Sequence, residues 1–422
     1  MLVDFFRRRN IYYGWVVLAV TFVTMFFVMG FRISFGVFYV VILDETGWTR
    51  AETAGIFSTA MIVYAFSSML AGAMFDWLGP RRIFPIGSLL LGGGLMLCST
   101  IQTLWQFYLY YGVLVGLSYS LIGFITHMAY IPRWFIKNRG LAASLGLSGM
   151  GVGALVIAVL SEQMLVWFGW RTTFFIFGAT MWLVLTPLTI IFHRESPQSI
   201  GLRPDGRPGT SHSPAEAQAA GPTLLQSVRR PVFWMLFTAV LTIGMGSMTI
   251  VVHLTRLLVD AGYAFSIAAA LLGLTGLLRS LGGMFWGALS DRVGRAPCIW
   301  AASLLGFISL ILLIAMGNSQ NNLLLGGFIL LWGMGFTGIP PLYASTAADI
   351  FQGRHFGKIL GTLDQGFGIG AATGPFLAGW IYDNYGSYEP LLWILMGVVL
   401  LTASSLWSAT LSLPGRTAGG VK

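Results

Sequence analysis

The chain is a succession of apolar runs, each about 20 residues long, and this pattern leaves few folds open. A helix of about 20 apolar residues crosses the ~30 Å hydrocarbon core of a bilayer. Only 9% of the residues are charged and 56% are hydrophobic, whereas a soluble domain carries roughly 25% charged residues. We predict an all-α membrane protein with twelve transmembrane helices, near residues 13–41, 53–75, 83–101, 105–131, 140–167, 172–193, 231–258, 265–290, 298–316, 322–348, 357–382 and 389–411.

A stretch rich in Pro, Gly and Ser interrupts these runs near the middle of the chain. It reads RESPQSIGLRPDGRPGTSHSPAEAQAAGPTLLQSVRR and contains no run of membrane-spanning length, which is typical of a linker. We therefore predict an N-terminal six-helix bundle in residues 1–193, a cytoplasmic linker in 194–230 with a short helix at 215–220, and a C-terminal six-helix bundle in 231–422.

The two predicted bundles repeat one pattern. GAMFDWLGPRR begins at Gly72 and GALSDRVGR begins at Gly287, and we call the difference between these two positions the repeat offset. The same residue, glycine or aspartate, recurs in both bundles at pairs of positions separated by the repeat offset or by two residues more. The pairs are Gly72/Gly287, Asp76/Asp291, Gly79/Gly294, Gly140/Gly357, Gly149/Gly366, Gly151/Gly368, Gly153/Gly370 and Gly169/Gly386. So many matches in corresponding loops and helices predict two pseudo-symmetric bundles, as in many secondary transporters.

Positive charge is distributed unevenly between the predicted loops. If both termini are cytoplasmic, the cytoplasmic segments hold most of the Lys and Arg residues, including Arg7–Arg9, Arg81, Arg82, Arg133, Lys137 and Arg139. The outer loops and their margins hold Arg50, Arg171 and Arg256. By the positive-inside rule, this distribution predicts that both termini lie in the cytoplasm. The net charge of +9 thus reflects membrane orientation rather than nucleic-acid binding.

One arginine lies in the middle of a predicted span. Arg279, in LTGLLRSLGG, is the only charged residue between Asp260 and Asp291. An arginine at this depth costs at least ~2.5–3.5 kcal/mol on insertion scales and usually marks a pathway. Because no carboxylate lies one helical turn away, its counter-ion must come from another helix or from a ligand. A guanidinium binds a carboxylate with two parallel hydrogen bonds, which suits a small organic acid; a salt bridge to Asp364 is the alternative.

The repeated loop after the second span of each half resembles the signature loop of the major facilitator superfamily. The resemblance implies twelve helices in two bundles. The residues of this loop can form ion pairs that close the cytoplasmic side, or they can simply enforce the topology. The predicted cytoplasmic gate contains Asp76, Arg81, Asp291, Arg295 and Asp349, with Asp349 as the partner of Arg295.

A second motif is narrower. WFIKNRGLAASLGLSG, residues 134–149, resembles the signature at the start of the fifth span of monocarboxylate transporters, with Phe135 and Lys137 in place and Asn138 replacing a basic residue. The resemblance implies that Arg279 holds the substrate carboxylate. Many animal members carry an aspartate, their proton-coupling residue, one turn before this arginine, where this chain has Thr275. The resemblance therefore does not transfer that role, and we expect Thr275 to hydrogen-bond the substrate.

Further residues are candidates for the substrate site. Arg32, the only charge between Arg9 and Asp44, either attracts anions into the site or extends to the outer interface. Aromatic side chains on the fourth and tenth spans are predicted to shape a small cavity, namely Tyr119, Phe336 and Tyr343.

Uptake of an anion against the membrane potential requires a co-transported cation, usually a proton. His253, Arg256 and Asp260 form one cluster at the outer end of the seventh span, and such clusters can titrate near neutrality. Asp364, deeper in the eleventh span, is the other candidate. Asp260, His253 and Asp364 are therefore predicted proton-coupling residues.

Together these features predict a multi-pass transporter of the cell membrane that carries lactate- or pyruvate-like monocarboxylates with protons, by alternating access. An organic-anion exchanger of the oxalate/formate type is the alternative, and multidrug efflux or a membrane receptor fits less well. The sequence contains no HExxH or GxSxG motif, so we predict no enzymatic activity, metal or cofactor. The expected partners are a small carboxylate, protons and lipid, with the chain working as a monomer.

Overall fold

The computed structural model describes residues 12–135, 139–206, 221–317, 319–351, 353 and 356–412. Arg7–Arg9, Lys137 and the predicted short helix at 215–220 lie outside these ranges. Twelve long helices follow one another in the described part of the chain. They are α1 (Tyr13–Thr46), α2 (Arg50–Leu78), α3 (Pro80–Cys98), α4 (Leu104–Arg133), α5 (139–168), α6 (170–192), α7 (Pro231–Asp260), α8 (Phe265–Val293), α9 (Arg295–Met316), α10 (Asn322–Ile350), α11 (Phe356–Tyr385) and α12 (Glu389–Thr410).

Within the described residues, ten helical segments are apolar and long enough to cross a membrane, and one of these contains two spans. Leu141–Phe192 has 52 residues, far more than the roughly 20 needed for one crossing. Gly169, with φ 72°, interrupts it and separates α5 from α6. The remaining span is α11, with 30 residues. The twelve helices predicted from the apolar runs are confirmed, although α1 extends to Thr46, beyond its predicted end at residue 41.

The sequence repeat is reproduced in the backbone. Gly79 and Gly294, the residues before α3 and α9, both have positive φ angles, of 73° and 99°. Gly169 and Gly386, before α6 and α12, have φ angles of 72° and 67°. Glycine adopts this region without the steric penalty that a Cβ brings, so each matched pair marks the same helix break in the two bundles.

The fourth helix of each bundle is discontinuous. In α4 the helix is broken at residues 122–123, and in α10 it is broken at Gly335, followed by Pro340 and Pro341. Glycine and proline explain the breaks, because they weaken or remove helical hydrogen bonding. Broken helices near the membrane midplane are a recurrent feature of transporter binding sites.

Glycines allow the helices within each bundle to pack at close range. A Cβ added to Gly153 of α5 would overlap the carbonyl oxygen of Phe26 in α1, and a Cβ added to Gly370 of α11 would overlap that of Leu241 in α7. Phe26 and Leu241 are separated by the repeat offset, and the two glycines are one of the matched pairs of the sequence repeat. The same close contact is therefore built twice, which confirms the pseudo-symmetry of the two six-helix bundles.

The contacts between the bundles obey the same symmetry. Gly151 of α5 lies against Ser280 of α8, and Gly368 of α11 lies against Ala65 of α2. Ala65 and Ser280 are again separated by the repeat offset. The α5–α8 and α2–α11 pairs thus form the two sides of the interface between the bundles.

Among the described residues, the interface between the bundles is closed at one end only. We call the side on which α1 begins and α12 ends the terminal face, and the other side the opposite face. Towards the opposite face, Gly379 of α11 packs against the backbone of Ala51 in α2. Towards the terminal face, a Cβ at Gly72, Gly357 or Gly361 would meet no atom within 4 Å. The bundles therefore diverge from their midpoint towards the terminal face and leave a central cleft.

We predict that Gly370→Ala destabilises the protein, because its Cβ would overlap the backbone of α7. Overpacking of this kind costs about 1–3 kcal/mol. Gly326→Ala is the matched control, since Gly326 is an exposed helical glycine with no atom near its added Cβ. Thermal unfolding of the purified protein in detergent should show a lower midpoint for Gly370→Ala alone. Equal midpoints would mean that the close α7–α11 contact is not required.

Candidate functional site

Arg279 lies at the midpoint of the 29-residue α8 and faces the interior of the protein. Its side chain is half-buried. The described residues provide it with no ion pair or hydrogen bond, and the alternative salt bridge to Asp364 is not formed. Arg32 is close enough to repel it electrostatically. A permanent positive charge is therefore held inside the membrane-spanning region without a carboxylate partner.

Arg32 of α1 is only 4% exposed. Its Nη2 donates to Met61 Sδ at 2.9 Å, and its Nε has no partner among the described residues. The rings of Tyr64, Tyr119 and Phe367 surround its Cζ at 5.0, 5.9 and 5.6 Å. We call these four neighbours the Arg32 cage. Aromatic faces attract a cation, but they leave most of its hydrogen-bond donors unused, so Arg32 lies in the interior rather than extending to the interface.

Asp364 of α11 is the carboxylate nearest to this cage. The hydroxyl of Tyr64 donates to its Oδ2 at 3.0 Å. Asp364 is half-buried and lies within electrostatic range of Arg32 and Tyr343. Tyr64 belongs to the N-terminal bundle and Asp364 to the C-terminal bundle, so this hydrogen bond joins the two halves of the protein.

Sequence reasoning missed two residues at this centre, and the repeat contains the signal that identifies them. The repeat offset pairs Arg279 with Tyr64 and Arg32 with Ser247. Tyr64 is the midpoint of the 29-residue α2, just as Arg279 is the midpoint of α8. The hydroxyl of Ser247 is buried and has no hydrogen-bond partner among the described residues. Each bundle thus contributes one cation and one hydroxyl from corresponding positions.

The charges at this centre favour an anionic ligand. Two guanidinium groups and one carboxylate leave a net positive charge where hydrocarbon surrounds the protein. Buried charges require a partner, and the two arginines have free donors, so a small anion can satisfy both. Within the described residues, no group of three His, Cys, Asp or Glu side chains has the geometry of a metal site.

The other predicted substrate residues lie in different surroundings. The Tyr119 hydroxyl is 3.3 Å from that of Tyr111, and its ring belongs to the cage. The Tyr343 hydroxyl is buried and has no partner in the described part of the chain. Thr275 is buried one turn from Arg279 and donates to the carbonyl of Leu272 at 2.6 Å.

Phe336 requires a correction. Its ring is fully buried, stacks on Trp332 with 4.9 Å between centroids, and fills the space beside Gly246 and Gly306. These neighbours belong to α7, α9 and α10 of the C-terminal bundle. Phe336 is therefore a packing residue of that bundle, placed there by the break at Gly335, and it does not line the central cleft.

A network at the opposite face joins the bundles around Arg50, the first residue of α2. Its guanidinium binds Asp260 Oδ2 at 2.7 Å and the Tyr388 hydroxyl at 2.7 Å, and lies 3.4 Å above the ring of Tyr382. The carboxylate of Asp383 accepts the backbone N–H groups of Arg50 and Ala51, which caps the N-terminus of α2 from the other bundle. We call this set the Arg50 network.

Two predicted proton-coupling residues belong to this region. Asp260 is shared between Arg50 and Arg256, whose Nε lies 2.9 Å from Asp260 Oδ1, and Arg256 also binds Asp44 of the N-terminal bundle. His253 contacts the Tyr388 hydroxyl at 3.0 Å and the carbonyl of Pro375 at 2.9 Å. Both ring nitrogens of His253 are therefore occupied, and Asp260 has two cationic partners.

The predicted gate residues form pairs inside each bundle. Arg133 binds Asp76 at 3.3 Å, and Arg295 binds Asp291 at 2.9 Å and Asp349 at 3.3 Å. Arg81 is exposed at the start of α3. In the described part of the chain, none of these pairs crosses between the bundles, which agrees with a cleft that is open towards the terminal face.

We predict that Arg50→Ala loosens the closed opposite face, because the Arg50 side chain supplies the ion pair with Asp260 and the hydrogen bond with Tyr388 across the bundles. Charge-assisted hydrogen bonds between the bundles are worth about 1.5–3 kcal/mol each, so opening should become at least about tenfold more frequent. The rate at which a membrane-impermeant maleimide added at that face labels Ser58→Cys, a buried position in α2, measures this opening.

Arg171→Ala is the matched control for this measurement. Arg171 pairs with Glu45 at 2.5 Å on the same face, but both residues belong to the N-terminal bundle. Labelling should be unchanged in this variant. If Arg50→Ala also leaves the rate unchanged, the Arg50 network does not keep the opposite face closed.

Comparison with known proteins identifies the family. The sequence model of the Major Facilitator Superfamily matches residues 20–362. The chain is 27% identical to the "Uncharacterized MFS-type transporter YcxA" of Bacillus subtilis (strain 168), over 92% of this chain and 93% of that protein. It is 26% identical to "Monocarboxylate transporter 13" of Rattus norvegicus (93% and 88% covered) and 25% identical to "Monocarboxylate transporter 11" of Homo sapiens (94% and 82% covered).

Solved structures share the fold. A bacterial homologue of the human lysosomal transporter Spinster, crystallised in an inward-facing and occupied conformation, superposes with a TM-score of 0.72 at 15% identity, over 94% of this chain and 97% of that one. Together with the twelve helices in two bundles, the match to the family model shows that the chain belongs to the Major Facilitator Superfamily and is a multi-pass membrane transporter of that family.

Proposed function

We propose that the protein carries small monocarboxylates of the lactate or pyruvate type across the cell membrane together with protons. The observation that supports this most directly is Arg279, a half-buried guanidinium at the midpoint of α8 with no partner among the described residues. The names of the relatives that are monocarboxylate transporters support the same substrate class.

In this proposal Arg279 binds the substrate carboxylate through two parallel N–H···O bonds, the geometry that a planar guanidinium favours. Arg32 supplies the second positive charge from the other bundle. Ser247, Tyr343 and Thr275 can contact the remainder of a small hydroxy or keto acid, since two of these hydroxyls are buried without partners among the described residues. The aromatic rings of the cage exclude water from the same site.

Alternating access has a structural counterpart in the two ends of the cleft. The Arg50 network closes the opposite face, while the bundles diverge at the terminal face. With both termini in the cytoplasm, as the positive-inside rule favours, this conformation is open to the inside. Closure of the inner gate then brings Asp76, Arg81, Asp291, Arg295 and Asp349 together with residues of the other bundle, and the outer network separates.

We assign the proton to Asp364 rather than to Asp260 or His253. Asp364 is half-buried, adjoins the cleft and accepts one hydrogen bond from Tyr64. Asp260 is engaged in ion pairs with two arginines, and both nitrogens of His253 are engaged. A carboxylate next to the anion site is also the group whose neutralisation most favours anion binding.

An exchanger of organic anions is the second candidate, and Arg32 is the observation that favours it. A site with two cations that lack carboxylate partners among the described residues can retain an anion at all times, and the transporter then returns across the membrane only when loaded. Exchange and proton symport differ in their driving force, so one uptake experiment separates them.

We predict that liposomes containing the purified protein take up radiolabelled L-lactate when a pH gradient is imposed, with protons moving in the same direction. Arg279→Ala should abolish this uptake, because loss of a bidentate charged contact weakens binding by about 10²-fold. Arg279→Lys keeps the charge but loses the forked geometry, and we expect an intermediate rate.

Arg171→Ala, which removes an arginine remote from the cleft, is the control and should transport normally. Uptake that ignores the pH gradient but requires preloading with another organic anion would favour the exchanger. If neither condition drives uptake of any carboxylate in a panel from formate to pyruvate, the proposed substrate class is wrong.

A further inference from the structure

We propose that Tyr64 couples the protonation of Asp364 to the binding of the substrate anion at Arg32 and Arg279. This inference rests on the proposed symport of a carboxylate and a proton, and it assigns a role to a residue outside the predicted site. Tyr64 acts here as a positioning residue, because it links two charged groups that do not touch each other.

Tyr64 has one contact on each side of the link. The centroid of its ring lies 5.0 Å from Arg32 Cζ, and its hydroxyl lies 3.0 Å from Asp364 Oδ2. Arg32 and Asp364 themselves form no ion pair, although they interact electrostatically. The side chain of Tyr64 is 4% exposed, so water competes little for either contact. A change in the charge of Asp364 therefore reaches Arg32 in two ways, directly through space and through the contacts of this tyrosine.

The position of Tyr64 in the repeat places it opposite Arg279. The two residues are related by the repeat offset, and their neighbours Ala65 and Ser280 make the corresponding interbundle contacts with Gly368 and Gly151. Because the pseudo-symmetry relates these contacts, Tyr64 and Arg279 approach the centre from equivalent directions in the two bundles. A small anion bound to Arg279 at the centre is thus within the region that Tyr64 faces.

The chemistry of the hydrogen bond provides the switch. An ionised carboxylate only accepts hydrogen bonds, so Tyr64 must donate to Asp364. Once Asp364 takes up a proton, its own O–H can donate to the Tyr64 oxygen, and the Tyr64 O–H becomes available to the anion. The transported proton stays on Asp364 throughout, and Tyr64 changes only the atom to which it donates.

The charged and titratable groups around Asp364 are consistent with control of its charge through the hydrogen bond from Tyr64. Arg32 and Tyr343 lie within its electrostatic range, and Tyr64 is its hydrogen-bond partner. On α11 itself, Lys358 is exposed near the terminal end. The α7 residues packed against this part of α11, Phe237 and Leu241, carry no titratable group. Neutralising Asp364 removes the negative charge that lies nearest to the Arg32 cage among the described residues, so proton and anion each favour binding of the other.

Tyr64→Phe tests the link, because it keeps the ring beside Arg32 and removes only the hydroxyl. In lactate-loaded liposomes, exchange of labelled for unlabelled L-lactate should continue at a reduced rate, because the variant loses one hydroxyl that can donate to the anion. The stimulation of net uptake by a pH gradient should fall about tenfold, as expected for loss of one hydrogen bond to a charged group. The number of protons moved per lactate, read from a trapped pH dye, should fall towards zero.

Tyr111→Phe is the matched control, since it removes another buried hydroxyl of the N-terminal bundle that contacts Tyr119 and not Asp364. Its uptake should keep its dependence on the gradient. Asp364→Asn is the second variant and should reproduce the uncoupled exchange of Tyr64→Phe. The double variant that combines Tyr64→Phe with Asp364→Asn should lose no more proton coupling than either single variant, as expected for two residues that act through one hydrogen bond.

The outcomes separate this inference from the proposed function. If the gradient stimulates the wild type and Tyr64→Phe equally, the role of Tyr64 is wrong while proton symport stands. If wild-type uptake ignores the gradient, proton symport and the role of Tyr64 are both wrong. If Tyr64→Phe neither exchanges nor folds, Asp364→Asn decides, and retained gradient stimulation in that variant overturns the link.

Discussion

The central site depends on one constraint. Two guanidinium groups are held between apolar helices without a carboxylate partner among the described residues. Arg32 and Arg279 repel each other inside the membrane-spanning region, and such an arrangement costs several kcal/mol in a membrane environment. The cage of aromatic rings and Met61 offsets part of that cost for Arg32. In the proposed function an incoming anion would relieve the remainder, so the repulsion between the two arginines would itself be a source of affinity for the anion.

The scaffold that holds these charges is built from close backbone contacts rather than large side chains. Gly153 and Gly370 bring α5 and α11 against α1 and α7, and Gly151 and Gly368 bring the same two helices against the other bundle. Lipid is as apolar as leucine, so helix association in membranes relies on close packing of this kind. Because α5 and α11 each contact both bundles, as do their interface partners α8 and α2, these four helices connect the two halves of the protein.

The apolar runs and the sequence repeat predicted the helices, the two bundles and even the helix breaks at Gly169 and Gly386, because each depends on local sequence. The site was only partly predictable. Arg279 and Arg32 are evident as isolated charges, whereas Phe336 has the same aromatic character as a cavity residue and differs only in the direction of its ring. The Arg50 network could not be predicted from the sequence, because Arg50 and its partner Asp260 lie in different bundles, far apart along the chain. Tyr64 could have been predicted from the sequence, since the repeat pairs it with Arg279.

The two bundles share one fold but carry different side chains at equivalent positions. In the proposed function, this difference connects binding of the anion to movement of the bundles. At equivalent positions, the N-terminal bundle carries Arg32 and Tyr64 where the C-terminal bundle carries Ser247 and Arg279. Neither bundle alone offers two cations at these positions, so an anion is fully bound only when both bundles surround it. A ligand shifts a conformational equilibrium by its difference in affinity for the two states. In the proposed function, an anion shared by Arg32 and Arg279 would therefore favour the conformation in which the bundles approach each other, which is the step that alternating access requires.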